Sequence, residues 1–169
     1  MDEAIIDGNC GELCNYHCCR SHEGEEDLGM YLLPLEFEAI QKGKDVPFEI
    51  HTSYQYDLPK SIKRQYYIFC SNDSGCLRDN RPIQCRTYPL EAHIENDKLS
   101  LIVEKDQLHG CPLLTSPEKW RKEFIDGTLK AWTLLITIDE VKDYVSKKNY
   151  TLFRCKRWSS GKGTEIQKY

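Results

Sequence analysis

At 169 residues, with 40% apolar and 30% charged side chains, the chain has the make-up of one folded domain, or of one domain with an appendage. A net charge of -4 speaks against the concentrated basic face that duplex binding demands, so nucleic acid is not an expected partner. The longest apolar run, residues 134–138, is far short of the roughly 20 residues that cross a bilayer, so no membrane is expected either.

In chain order, residues 10–30 are too rich in Cys, Gly, His and acid to pack as a regular element, and the expectation is a loop whose fold is imposed by metal. Pro34 suits a first helical turn, Leu35, Phe37, Ala39 and Ile40 offer an apolar face and Gly43 a stop, which predicts a helix over 35–42. Residues 48–56 and 64–70 are aromatic and β-branched, so each reads as a strand, the second ending at Cys70. Leu90, Ala92 and Ile94, then Leu99, Leu101 and Val103, alternate about the turn-forming pair Asn96-Asp97, which predicts a hairpin over 88–104.

Thr115 to Glu118 has the spacing of a capping box and predicts a helix carrying Trp120, Phe124 and Leu129. Thr137 to Glu140 repeats that spacing ahead of Val141, Tyr144 and Val145, in a helix ending near Lys148. Residues 152–158 read as strand-like, and the polar tail from Ser160 is expected to fray. Together these predict an α+β fold: a small metal-stabilised domain with a loop-rich cysteine core, a β-hairpin and C-terminal helices. The expected division is a cysteine-cluster metal-binding domain over 1–113 and a helical extension over 114–169 packed on it, with a polar tail.

The chemistry lies in the cysteines. Of nine, eight fall in order as Cys10, Cys14, Cys18, Cys19, Cys70, Cys76, Cys85 and Cys111. The first residues, Met-Asp-Glu-Ala-Ile-Ile-Asp, show no basic region followed by an apolar run, so a reducing compartment, the cytoplasm, is expected, where gathered thiolates hold zinc or iron-sulfur clusters. One tetrahedral zinc or one 4Fe-4S cluster commonly takes four thiolates, and eight is two sets of four. The side chains of adjacent residues diverge from the backbone, which makes it awkward for both to reach one mononuclear ion, so Cys18 and Cys19 are expected to serve two centres, or one to ligate while the other packs nearby.

Cys10 and Cys14 have the spacing of a zinc-chelating pair, but Cys70 and Cys76 are too widely spaced to answer as a second, which favours a cluster over zinc. The Cys-x3-Cys-x2-Cys triplet of enzymes that cleave S-adenosylmethionine is missed by one position, because His17 stands in the third place. Arg81 and Arg86 flank Cys85, where they can offset the negative charge of a four-thiolate site. His17 and His109 are expected not to ligate, the acidic run Glu23 to Asp27 to be a solvated loop, and Cys155 to be a non-ligand.

These blocks resemble a family of cysteine-cluster proteins described as having a zinc- or iron-chelating domain. Its pattern is a Cys-x2-Cys-x2-Cys-Cys opening, a Leu-Pro segment leading into a helix, two central cysteines, an Arg-Pro-x-x-Cys-Arg-x-Tyr/Phe-Pro stretch and a late Cys-Pro. The corresponding stretches here are 10–19, Leu33-Pro34, Cys70 and Cys76, 81–89, and Cys111-Pro112. Two departures stand out: the opening is spaced x3 and x3, and residues 115–169 fall outside the pattern.

The resemblance implies metal or cluster binding without fixing a reaction. A similar pattern occurs in flagellin lysine methylases, which are longer and pair such a cluster with S-adenosylmethionine. The expected function is thus a metal-binding protein with one or two cysteine-ligated centres, including a 4Fe-4S cluster, in electron transfer, cluster handling or redox sensing, with another protein as redox or substrate partner. The alternatives are a zinc-stabilised interaction module, or a cluster-dependent, methyltransferase-like enzyme acting on a protein or peptide, with helices over 120–145 as part of the substrate surface.

Overall fold

The structure, a computed structural model, describes residues 3–19, 29–40, 47–52, 63–70, 81–103, 111–147, 155–159 and 162–167. It is an α+β fold with two antiparallel sheets, a β-hairpin and C-terminal helices. The first sheet has the order β1-β3-β2, formed by β1 (Gly29–Tyr31), β2 (Phe48–His51) and β3 (Gln65–Phe69). Gly29 lies opposite Phe69, where a Cβ would run into the Ile68 carbonyl and the Tyr67 ring, so only glycine lets the two strands meet there. Chain leaving β1 turns inward at Leu32 and Leu33, both buried, and the Leu32 N–H donates to the Tyr66 carbonyl at 2.9 Å.

The hairpin joins β4 (Glu91–Glu95) to β5 (Lys98–Ile102), and Asn96 and Asp97 take the left-handed φ values of 50° and 59° that its two-residue turn requires. Two further strands, β6 (Cys155–Ser159) and β7 (Lys162–Gln167), extend this sheet in the order β4-β5-β6-β7. The tail therefore does not simply fray: Lys162–Gln167 satisfies its backbone groups by pairing with β6.

Helices α4 (Lys122–Leu135) and α5 (Asp139–Lys147) pack on the hairpin, α4 against β5 and α5 against β4. Trp120, Phe124, Trp132, Val141, Tyr144 and Val145 share one hydrophobic cluster with Ile5, Leu33, Leu90, Ala92 and Leu101. The chain on both sides of residue 113 thus builds the same core. These six side chains form the buried face of the helical region.

Several local expectations are corrected. Residues 10–30 are not all loop: they contain α1 (Cys10–Leu13), a 3-10 turn over His17–Cys19 and β1. The α1 turn is started by Asn9, whose side chain accepts the Gly11 N–H at 3.1 Å. Helix α2 is described over Glu36–Ile40 and starts one residue later than predicted, because Leu35 adopts a left-handed φ of 69° and lies 70% exposed instead of joining an apolar face; residues 41–43 lie outside the described residues. The strand predicted over 48–56 is described only over Phe48–His51, with residues 53–56 outside the described set.

Neither capping box forms. Thr115 Oγ1 donates to the Pro112 carbonyl at 2.7 Å within a 3-10 turn, and Trp120 precedes α4, its indole Nε1 donating to the Leu113 carbonyl at 2.9 Å. Thr137 Oγ1 likewise turns back to the Leu134 carbonyl at 2.7 Å and closes α4. A helix not foreseen, α3 (Ile83–Thr87), occupies the Arg-Pro-x-x-Cys-Arg stretch and leads into a cis Tyr88-Pro89 bond. No described helix is long and apolar enough to cross a membrane.

Candidate metal centre

Five of the predicted cysteine ligands, from two distant parts of the chain, lie near enough for each to act electrostatically on one or more of the others. Cys10 opens α1, Cys14 closes it, and Cys18 and Cys19 occupy the 3-10 turn that follows. Asn15 and Tyr16 make the reversal between these turns, with left-handed φ values of 51° and 57°. The reversal is locked by hydrogen bonds from the Tyr16 N–H to the Gly11 carbonyl at 2.7 Å and from Asn9 Nδ2 to the Tyr16 hydroxyl at 2.8 Å. Gly11 is required beneath it, because a Cβ there would overlap the Tyr16 ring.

Cys111 arrives from the other part of the chain, at the start of the 3-10 turn Pro112–Thr115. Its sulfur acts on both Cys10 and Tyr88, and Cys14 acts on it in turn. The N-terminal segment is held against this region by the Arg121 N–H, which donates to the Ile5 carbonyl at 2.8 Å.

The adjacent pair behaves differently from the sequence expectation. The Sγ atoms of Cys18 and Cys19 lie 3.8 Å apart, because the 3-10 turn brings to one side what an extended chain would splay. Two thiolates on a tetrahedral ion with bonds of about 2.3 Å would be separated by about 3.8 Å, so the pair fits one edge of such a site.

Electrostatics record the crowding. Burial, opposed by the Arg81 guanidinium and reinforced by Cys111, Cys14 and Cys19, pushes the Cys10 thiol up. The Cys18 thiol is pushed up strongly by its contact with Cys19 and then by burial. Burial also raises Cys111, against the N–H groups of Leu113 and Leu114 and the Tyr88 hydroxyl, which favour its thiolate. Tyr88 is raised too, chiefly by burial and next by Cys111. Its hydroxyl is close enough to Cys111 to act on the sulfur, yet it is buried and meets no hydrogen-bond partner at full geometry.

The remaining predicted residues stand as follows. Cys85 is on α3, its Sγ 3.2 Å from the Met30 sulfur, and Cys70 directly follows β3. Cys76 lies outside the described residues. Arg81 faces Cys10, whereas Arg86 donates from Nε to the Arg81 carbonyl at 2.9 Å and lends its charge to Glu36.

Sequence reasoning missed Tyr88 and Glu36. Glu36 reaches from α2 to accept the Ile83 N–H at 2.5 Å and the Leu33 N–H at 2.9 Å, so it fixes the start of α3. Gln84 Nε2 adds a bond to the Tyr31 carbonyl at 3.0 Å. A separate polar cluster on the first sheet joins Tyr31 to His51 Nδ1 and His51 Nε2 to Glu49, each at 2.9 Å.

Among the described residues, no group of three or more His, Cys, Asp or Glu side chains is already arranged to hold an ion. The Cys10, Cys18 and Cys111 thiols are all disfavoured as thiolates, by burial and by neighbouring cysteines. In comparisons with known proteins, no family model, no curated protein and no solved structure matches this chain. The resemblance to the cysteine-cluster proteins therefore rests on the motif alone.

Proposed function

We propose that this chain is a metal-binding protein whose cysteines hold one or two thiolate centres, including a 4Fe-4S cluster, and that it works in electron transfer, cluster handling or redox sensing with a protein partner. The observation that carries the reading is the convergence of Cys10, Cys14, Cys18 and Cys19 with Cys111, residues far apart in sequence. Free cysteines pack as small apolar groups and have no reason to gather around one another at this density. A cation supplies one, because it neutralises the thiolates and replaces their mutual repulsion with bonds.

On this reading Arg81 lowers the charge of the site at Cys10, and α3 carries Cys85, whose sulfur lies 3.2 Å from that of Met30. A bound cluster would supply one-electron chemistry; the chain's own part is to hold the sulfurs, shield them by burial and set the local charge.

The separation of the Cys18 and Cys19 sulfurs favours a second reading, a mononuclear zinc site serving an interaction module. Anaerobic purification followed by absorption spectroscopy and metal analysis separates the two. Iron with acid-labile sulfide and a brown colour supports the cluster, colourless protein with stoichiometric zinc and no iron rejects it in favour of zinc, and protein that takes up neither metal rejects both.

A further inference from the structure

The first sheet carries a row of proton-bearing groups that the metal reading leaves unused. Tyr31, Tyr67 and Glu49 stand in register across β1, β3 and β2, so their side chains share one face, and His51 lies two residues beyond Glu49 on that face. The Tyr31 hydroxyl is 2.9 Å from His51 Nδ1, and His51 Nε2 is 2.9 Å from a Glu49 carboxylate oxygen. A carboxylate only accepts, so the neutral imidazole carries its proton on Nε2 and leaves Nδ1 to accept the Tyr31 O–H. The His51 side chain is 8% exposed and that of Glu49 55%, so the row runs from a half-buried phenol through a buried base to a carboxylate that reaches water. The rings are packed together: His51 stacks on Tyr67 with 5.1 Å between centroids, and Tyr31 meets both at steep angles.

We propose that Tyr31 is a site of proton-coupled one-electron oxidation. Its electron passes to a strong one-electron oxidant such as an oxygen-derived radical, which that electron reduces. The phenolic proton moves to His51 Nδ1, and a neutral tyrosyl radical remains. Oxidation makes a phenol a strong acid, so a base already at hydrogen-bond distance takes the proton as the electron leaves. The imidazolium that forms is matched by the Glu49 carboxylate on its far side, which is in place before the charge appears. Electron transfer needs no substrate seated against the phenol oxygen, which suits a ring packed among its neighbours; acyl or phosphoryl transfer does need one. The inference is independent of the metal reading.

The test oxidises the full-length protein with photogenerated tris(bipyridyl)ruthenium(III), traps tyrosyl radicals with a phenolic label and follows the label at each tyrosine by mass spectrometry. Wild type is compared with Glu49→Gln, which keeps an acceptor for the His51 Nε2–H but removes the charge that balances the imidazolium. Tyr66, on the opposite face of β3 and stacked on Phe37 at 3.7 Å, is the internal control. The expected result is labelling of Tyr31 about tenfold slower in the variant, as for loss of one charge-assisted bond, with an unchanged rate at Tyr66. Equal rates at Tyr31 in the two proteins, or no label on Tyr31 in the wild type, would overturn the inference. A fall at both tyrosines would show that Glu49 merely steadies the sheet and would overturn it too. The metal reading is decided separately, by metal analysis.

Discussion

Glu36 offers a direct check on how helix α3, which carries Cys85, is held. Its carboxylate accepts two backbone N–H groups, from Leu33 and from Ile83, and so joins the end of the β1 segment to the first residue of α3. Replacing it by Gln keeps the shape but substitutes an amide N–H for one acceptor oxygen, leaving a partly buried N–H opposed by another donor. A lost bond to a charged acceptor costs about 1.5–3 kcal/mol, and release from burying a carboxylate returns part of that, so Glu36→Gln should destabilise by about 1–2 kcal/mol at neutral pH.

The pH dependence carries the sharper sign. Burial raises the Glu36 pKa, and the two N–H donors and Arg86 only partly oppose it. The folded state therefore binds the proton more tightly than the unfolded state does. The stability contributed by this linkage is fully present below the unfolded value and is lost as pH rises through the folded one. Gln has no such linkage, so the wild-type advantage should shrink from pH 4 to pH 7 in urea melts of the two proteins under matched metal conditions. An advantage that grows over that range would refute the assignment of burial as the dominant influence on Glu36.

Thr128 is fully buried with its hydroxyl unpartnered, so Thr128→Val should stabilise the fold by about 1 kcal/mol in thermal or chemical melts. Cys85→Ser should strip a metal centre whereas Cys155→Ser should leave metal content unchanged, as read by elemental analysis of purified protein; equal retention would show the ligand assignment to be wrong. Gly11→Ala should force Tyr16 off its seat and lower metal occupancy by several-fold while leaving the thermal transition of the core little changed, measured by metal analysis beside circular dichroism.

The hairpin and α5 were legible because their signals are local. Alternation about Asn96-Asp97 sets both register and turn, and Val141, Tyr144 and Val145 share one helical face. The capping boxes were misread for a local reason too: a threonine hydroxyl can bond backward to a carbonyl as readily as forward to an N–H, and Thr115 and Thr137 both do so. Helix α3 was hidden by its prolines, since Pro82 reads as stiffening but sits at the N-cap, where it breaks nothing. β7 was hidden by polarity, its pairing with β6 being a backbone matter.

At the candidate site the sequence named the cysteines but not their grouping, because grouping is a long-range property. That Cys111 acts on Cys10 and Tyr88, and that Glu36 fixes the start of the helix carrying Cys85, depends on how distant segments dock. The divergence expected of the adjacent Cys18 and Cys19 side chains does not occur, because the 3-10 turn brings their sulfurs to one side.

This grouping would also separate a metal, if bound as proposed, from the core. The buried cluster is built from Ile5, Leu33, the hairpin and the two C-terminal helices, with Cys10 and Cys111 only packed against its edge. Its buried members among the described residues include no cysteine. The first block, by contrast, is ordered by a few hydrogen bonds from Asn9 and Tyr16 and by two left-handed residues, each of which costs free energy outside glycine. A cation bound there would offset that local strain and the repulsion among sulfurs, leaving the hydrophobic core to stand on its own. Metal and core then contribute to different cooperative units, and loss of metal should be felt first in residues 10–19 rather than as collapse of the whole fold.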